Sequence, residues 1–177
     1  MESLNQWVLP LLLIWPAVAA ILTMFTSNEK TIKWGNIIAS LLPLGLSIYL
    51  LAAYDYAAGG MQFEVNVVWI ESLNAYFHLG VDGLSVPLLF LTGLLMTLSI
   101  YYSAGTIRTR VKEYFVAMNI LAISMFGVFV ALDYVLFYLF WEIMLIPLFV
   151  MIALWGGEQR RQAALKFFLY ALAGSLA

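Results

Sequence analysis

Long uncharged stretches set the architecture of this chain. Trp7–Thr26, Trp34–Tyr54 and Leu84–Ser103 carry no charged residue, and Tyr114–Trp155 carries only Asp133 and Glu142. The hydrocarbon core of a bilayer is about 30 Å thick and takes about 20 helical residues. The first three stretches therefore predict one transmembrane helix each. Tyr114–Trp155 is too long for a single crossing and predicts two antiparallel spans, Tyr114–Leu132 and Tyr134–Trp155, although no Gly or Pro marks the turn near Asp133. A sixth span begins near Ala163. Its fifteen residues to Ala177 reach about 22 Å at 1.5 Å per residue, short of the core thickness. A truncation within helix 6 is expected on that ground.

The connection Asp55–Asp82 has a different rhythm. Phe63, Val65, Val67 and Trp69 alternate with Gln62, Glu64, Asn66 and Val68. A period of two predicts a short strand. A second strand over Ala75–Leu79 would pair with it as a β-hairpin on the membrane surface. The fold class expected is an all-α polytopic membrane protein with five complete transmembrane helices, the start of a sixth, and an extracytoplasmic β-hairpin between helices 2 and 3.

Composition agrees with this pattern. Hydrophobic residues make up 64% of the 177 and charged residues 10%, against about 25% charged in soluble domains, and the mean hydropathy is +0.97. The N-terminus lacks the basic segment and small-residue cleavage site of a signal peptide, so its apolar stretch is read as a retained span. No basic patch points to nucleic acid. The absence of Cys excludes disulfides, zinc–thiolate sites and Cys-ligated clusters, and one His cannot build a multi-histidine metal centre. No metal or cofactor is expected on this chain.

Charge sets the orientation. The basic residues are Lys30, Lys33, Arg108, Arg110, Lys112, Arg160, Arg161 and Lys166. All follow spans one, three and five, or open span six, and so share one side of the membrane. Basic residues are retained on the cytoplasmic side. The N-terminus and the hairpin are then extracytoplasmic, in a cell or inner membrane. The same rule supports the break at Asp133, since one merged span would place Arg160 and Arg161 outside.

Glu142 is the sharpest chemical signal. It lies about 12 Å along span five from Tyr134, with no Lys or Arg near it in sequence. Desolvation disfavours an isolated anion there, and a nearby cation would favour it. A group whose protonation follows its surroundings is what a proton relay needs. The alternative is a protonated Glu that only hydrogen-bonds to a neighbouring helix. Pro147 removes a donor to the Ile143 carbonyl and is expected to bend the helix, freeing a carbonyl for water. Proline is also common in membrane helices. Tyr134, Tyr138 and Glu142 at i, i+4, i+8 suggest a hydrated line, or simply interfacial tyrosines. Lys166 stands too near the inner surface to reach Glu142, so snorkelling competes with a relay role. Asp82 and Asp133 fit helix N-caps, His78 an interfacial contact, and Asn119 a hydrogen bond between helices.

Phe-His-Leu-Gly-Val-Asp-Gly-Leu-Ser at Phe77–Ser85, Lys-Glu-Tyr-Phe at Lys112–Phe115 and Leu-Phe-Tyr-Leu-Phe-Trp-Glu-Ile-Met-Leu-Ile-Pro at Leu136–Pro147 carry a resemblance, with Trp-Gly-Gly at Trp155–Gly157 and the Lys166–Ser175 stretch. Together they resemble the chain M (subunit 4) family of proton-translocating NADH:quinone oxidoreductase, respiratory complex I. The resemblance covers nearly the whole chain. It implies that 1–177 is the N-terminal part of an antiporter-like domain of fourteen helices. It also implies that Glu142 is the family's helix-five glutamate, working with a lysine on a later helix. No catalytic role carries over to Lys166. NADH, FMN, iron–sulfur clusters and quinone would sit on partner subunits, and the other membrane-arm subunits would be its partners. Multi-subunit Na+/H+ antiporters and energy-conserving hydrogenases are related and share the glutamate. A structural anchor without transport is the third reading, and the fragment alone is expected to be inactive.

Overall fold

The computed structural model describes residues 2–176. In chain order it comprises α1 (Glu2–Phe25), α2 (Glu29–Ala53), β1 (Gln62–Ile70), β2 (Ala75–Val81), α3 (Ser85–Thr106), α4 (Val111–Val130), α5 (Tyr134–Trp155) and α6 (Arg160–Leu176). Five of these helices, α1 to α5, are long and apolar enough to cross a membrane. α5 has the bounds expected from sequence. α2 and α6 begin a few residues earlier, because their charged first turns continue the helix beyond the apolar run.

α4 is the hub of the bundle. It packs against α1 and α5 most extensively and also against α3 and α2, while α6 rests on α5. Phe115 and Phe126 of α4 are wholly buried, together with Leu12 of α1, Leu50 of α2 and Leu89 of α3. Large apolar side chains such as Phe25, Ile38 and Leu98 face outward, as lipid-facing positions do when hydrocarbon is the solvent. A polar thread crosses the interior. Asn119 Nδ2 donates to Asn36 Oδ1 at 2.6 Å and to the Phe115 carbonyl, and Asn36 Nδ2 donates to Thr23 Oγ1 and the Ile32 carbonyl. Thr23 in turn donates to the Ala19 carbonyl. Both amide groups thereby spend their protons, and α1, α2 and α4 are joined by groups that hydrocarbon would leave unpaired. Asn119 does what its sequence position suggested, and Asn36 is its unforeseen partner.

Three long-range contacts gather the basic links at one end. Lys33 Nζ donates to the Ile107 carbonyl at 3.0 Å, Lys112 Nζ to the Met24 carbonyl at 3.1 Å, and Trp155 Nε1 to the Thr109 carbonyl at 2.9 Å. The β-hairpin occupies the opposite end. β1 and β2 pair antiparallel, with Val65 opposite Leu79 and Asn66 opposite His78, and register shifts at Gln62–Val65 and Val68–Ile70. Phe63 takes a positive φ of 57° within the first shift, where a bulge turns the strand. His78 Nε2 meets Glu64 Oε2 at 2.9 Å, which satisfies the histidine as expected.

The hairpin also explains how α4 and α5 separate without Gly or Pro. Ala131 is extended and bridges to Leu79, and the Leu132 N–H donates to the His78 carbonyl at 2.8 Å. The strand thus takes up backbone groups that the interrupted helix leaves free. Gly80 allows the close approach, since a Cβ there would lie 2.6 Å from Leu132 Cδ1. Asp133 completes the junction. Its Oδ1 accepts from Val135 N and Leu136 N, capping α5, and its Oδ2 accepts from Tyr76 N at 3.1 Å. Asp82 braces the turn that leads into α3, whose N-cap position is Leu84 and not Asp82 as expected: its Oδ1 accepts from Leu84 N and Ser85 N, and its own N–H donates to Ser85 Oγ.

Hydrogen bonds from Leu136 N and Tyr76 N hold the Asp133 carboxyl below its ordinary range, as those from Ser85 do for Asp82. A depressed folded pKa gives stability that is present above the unfolded value, about 3.9, and is lost as pH falls through the folded one. Protection from hydrogen exchange at Tyr76 and Leu132, relative to the intrinsic rate at each pH, is therefore expected to fall below about pH 4, and Asp133→Asn should remove much of that acid sensitivity. An acid response of equal size in the variant would show that Asp133 is not its source.

Candidate functional site

α5 positions the site. Its N-terminus is fixed by Asp133, and its ladder then carries Tyr138, Glu142 and Pro147 toward the basic end. Leu136, Phe140, Leu145 and Pro147 are buried against the bundle. Glu142 lies on a different side, half-buried, where α6 covers it. The sequence already placed Glu142 deep in a span. Its neighbour is new: Ser175 of α6 lies with Oγ 2.6 Å from Glu142 Oε1 and 2.9 Å from the Leu172 carbonyl. Thirty-three residues separate Glu142 and Ser175 in sequence, so no local spacing could have paired them.

Ser175 has one hydroxyl proton and two acceptors within reach. When Glu142 is ionised, the hydroxyl donates to the carboxylate. When Glu142 is protonated, its own O–H can donate to Ser175 Oγ while the serine proton turns to the Leu172 carbonyl. Rotation of one O–H bond thus accommodates both protonation states with no shift of heavy atoms. Tyr138 stands one helical turn before Glu142 on α5. Tyr134, the outer member of the suggested line, is 81% exposed.

The other candidates fall elsewhere. Lys166 is exposed on α6 and, among the described residues, no basic side chain pairs with Glu142. α5 is a continuous helix through Pro147. Pro147 does line a groove of about 400 Å³ that runs between α4 and α5 to Lys112 and Glu113 at the basic end. The lining residue nearest to Glu142 along α5 is Ile146, four residues on.

The chain is similar to several known membrane proteins. Residues 131–177 match the family model described as NADH:quinone oxidoreductase/Mrp antiporter, transmembrane. NADH-quinone oxidoreductase subunit M of Rhodobacter capsulatus is 46% identical over 90% of this chain and 32% of its own length. The F(420)H(2) dehydrogenase subunit M of Methanosarcina mazei is 35% identical over 94% of this chain and 34% of its own. Respiratory complex I from Thermus thermophilus with bound NADH contains a chain that superposes with a TM-score of 0.78 at 27% identity, covering 96% of this chain and 33% of that one. This chain therefore spans about a third of the length of these relatives.

Proposed function

We propose that this relative of the complex I membrane subunits, whose fold it has, forms part of a proton-translocating unit in an NADH:quinone oxidoreductase, with Glu142 as the group that takes up and releases the proton. The observation that carries the reading is the seating of Glu142: a carboxyl in the middle of an apolar helix, held by a serine hydroxyl that serves both of its protonation states. An acid kept only for packing has no need of a partner that switches between donor and acceptor.

In this reading Ser175 exchanges hydrogen bonds with Glu142 as the carboxyl takes up and releases the proton, and Tyr138, one turn away on α5, is an accessory group. The basic end is cytoplasmic by the distribution of Lys and Arg. The N-terminus and hairpin then face outward. The protein works as one subunit of an enzyme complex in the respiratory membrane. Partner subunits hold NADH, FMN, the iron–sulfur clusters and quinone. Charge displacement along the neighbouring membrane-arm subunits changes the proton affinity of Glu142, and no electron passes through this chain. A cation-antiporter subunit is the second reading, favoured by the family description that joins the two groups.

The test uses the complete protein in its assembled complex. Inverted membrane vesicles are given NADH while internal acidification is followed. NADH-driven proton uptake that is abolished by deleting this subunit supports the reading. If deletion leaves NADH-driven uptake intact but abolishes Na+-dependent proton exchange, the antiporter reading replaces it.

A further inference from the structure

The basic end carries a groove that the Glu142 site does not use. It runs between the start of α2 and the end of α3, with a volume of about 480 Å³, and is lined by Lys30, Lys33, Trp34, Ile37, Tyr101 and Tyr102 among others. Lys30 and Lys33 are one turn apart and share a face of α2. Lys33 is anchored there by its bond to the Ile107 carbonyl, which leaves two of its three ammonium protons for another acceptor. Among the described residues Lys30 has no side-chain partner. No acidic side chain lines the groove. The N-terminus of α2 adds its positive dipole end to the two ammonium groups.

Below the lysines the lining changes character in steps. Trp34, Tyr101 and Tyr102 are 64%, 65% and 72% exposed, and such rings settle at the headgroup level of a bilayer. Deeper along the same two helices, Ile38, Leu41 and Leu98 present an outward aliphatic track. Cation, aromatic and aliphatic zones therefore follow one another from the membrane surface inward. That is the order of phosphate, glycerol ester and acyl chain in a phospholipid.

We propose that this α2–α3 groove is a binding site for an anionic phospholipid. Its phosphate is held by Lys30 and Lys33, and its chain lies along Ile38, Leu41 and Leu98. Two observations select this occupant. Charge complementarity calls for an anion, which a zwitterionic lipid satisfies poorly. The apolar track calls for a chain, which free phosphate lacks. A packed protein helix is disfavoured because it would bury both ammonium groups beside apolar side chains. The inference needs only a membrane-spanning chain and is independent of any role for Glu142.

The experiment reconstitutes the full-length protein in its complex into nanodiscs doped with a photoactivatable phosphatidylglycerol, and maps the labelled peptides by mass spectrometry. Wild type is compared with Lys30→Gln/Lys33→Gln and with Arg160→Gln/Arg161→Gln, which removes equal charge elsewhere at the same end. Labelling of the Ile38–Leu41 and Leu98–Tyr102 segments is expected in wild type. It should fall about tenfold or more in the lysine variant and persist in the arginine one. Lys30→Gln alone serves where loss of the Lys33 bond disturbs α3, and should lower labelling about fivefold. A matched phosphatidylcholine probe labelling the groove equally, an equal loss in both double variants, or cross-links to a partner subunit in place of lipid would each overturn the proposal. So would displacement of the probe by millimolar inorganic phosphate, which would assign the site to a free anion.

Discussion

Glu142→Gln in the complete protein is expected to abolish NADH-driven proton uptake into inverted vesicles while the complex assembles normally. Glutamine keeps the length of the side chain and still accepts from Ser175 through its amide oxygen, so the α5–α6 contact survives. What it loses is the ability to bind and release a proton. Groups that transfer protons at a reacting step contribute about 10²- to 10⁴-fold, so uptake should fall at least about 100-fold. NADH oxidation should slow with it wherever the two are tightly coupled. Ser175→Ala is informative beside it. It leaves the titrating carboxyl in place and removes only its switching partner, so transport should slow by a smaller factor and persist. Unchanged pumping in Glu142→Gln would make the residue a packing element and remove the basis for the relay.

Gly127→Val should have the largest effect on stability. Gly127 of α4 faces α5, and a Cβ at this position would overlap the ring of Phe140. Phe140 is buried, at 8% exposed, and the atoms that a Cβ would meet are the ring atoms nearest its own backbone. Overpacking a tight contact typically costs about 1–3 kcal/mol, and valine adds two methyl groups beyond the Cβ that already collides. A loss of about 3 kcal/mol is expected, read as a lower thermal midpoint of the purified subunit and less protein in the assembled complex. The attribution can be checked by a double-mutant cycle. Phe140→Ala opens the space, so the pair should lose less than the sum of the two single losses. If the two losses simply add, the clash is not the cause.

The helical architecture was legible because hydrocarbon imposes it. Uninterrupted apolar runs gave α1, α2 and α3, and the one-sided placement of Lys and Arg argued for dividing α4 from α5 at Asp133. The physical means of division was not legible. It lies in β2, which supplies Leu79 and His78 to the junction, and such pairing leaves no mark near Asp133. Period two announced the hairpin, but its alternation fails beyond Val65. Val67, Val68 and Trp69 are all exposed, because the second register shift lies there and no second layer covers that end. Glu142 stood out as a charge in an apolar span. Its partner Ser175 did not, although the serine falls within a stretch that carried the family resemblance, because short hydroxyl residues are common in membrane helices and reveal a role only through what they face. Asn36 was missed for a related reason: a single amide in a span looks like a flaw in the pattern until its bond to Asn119 is seen.

The junction at Asp133 has a further consequence. One carboxylate is fastened both to the first turn of α5 and to the backbone of the hairpin, and Glu142 follows it at a fixed rise along the helix. The strand pair lies at the surface end of the bundle, so it serves as a datum from which the depth of the carboxyl is measured. Sliding α5 by a residue would have to pull Asp133 away from Tyr76 or drag the hairpin toward hydrocarbon. The hairpin is in this sense a depth gauge: it holds Glu142 level with Ser175 whatever strain reaches α5 from its other end.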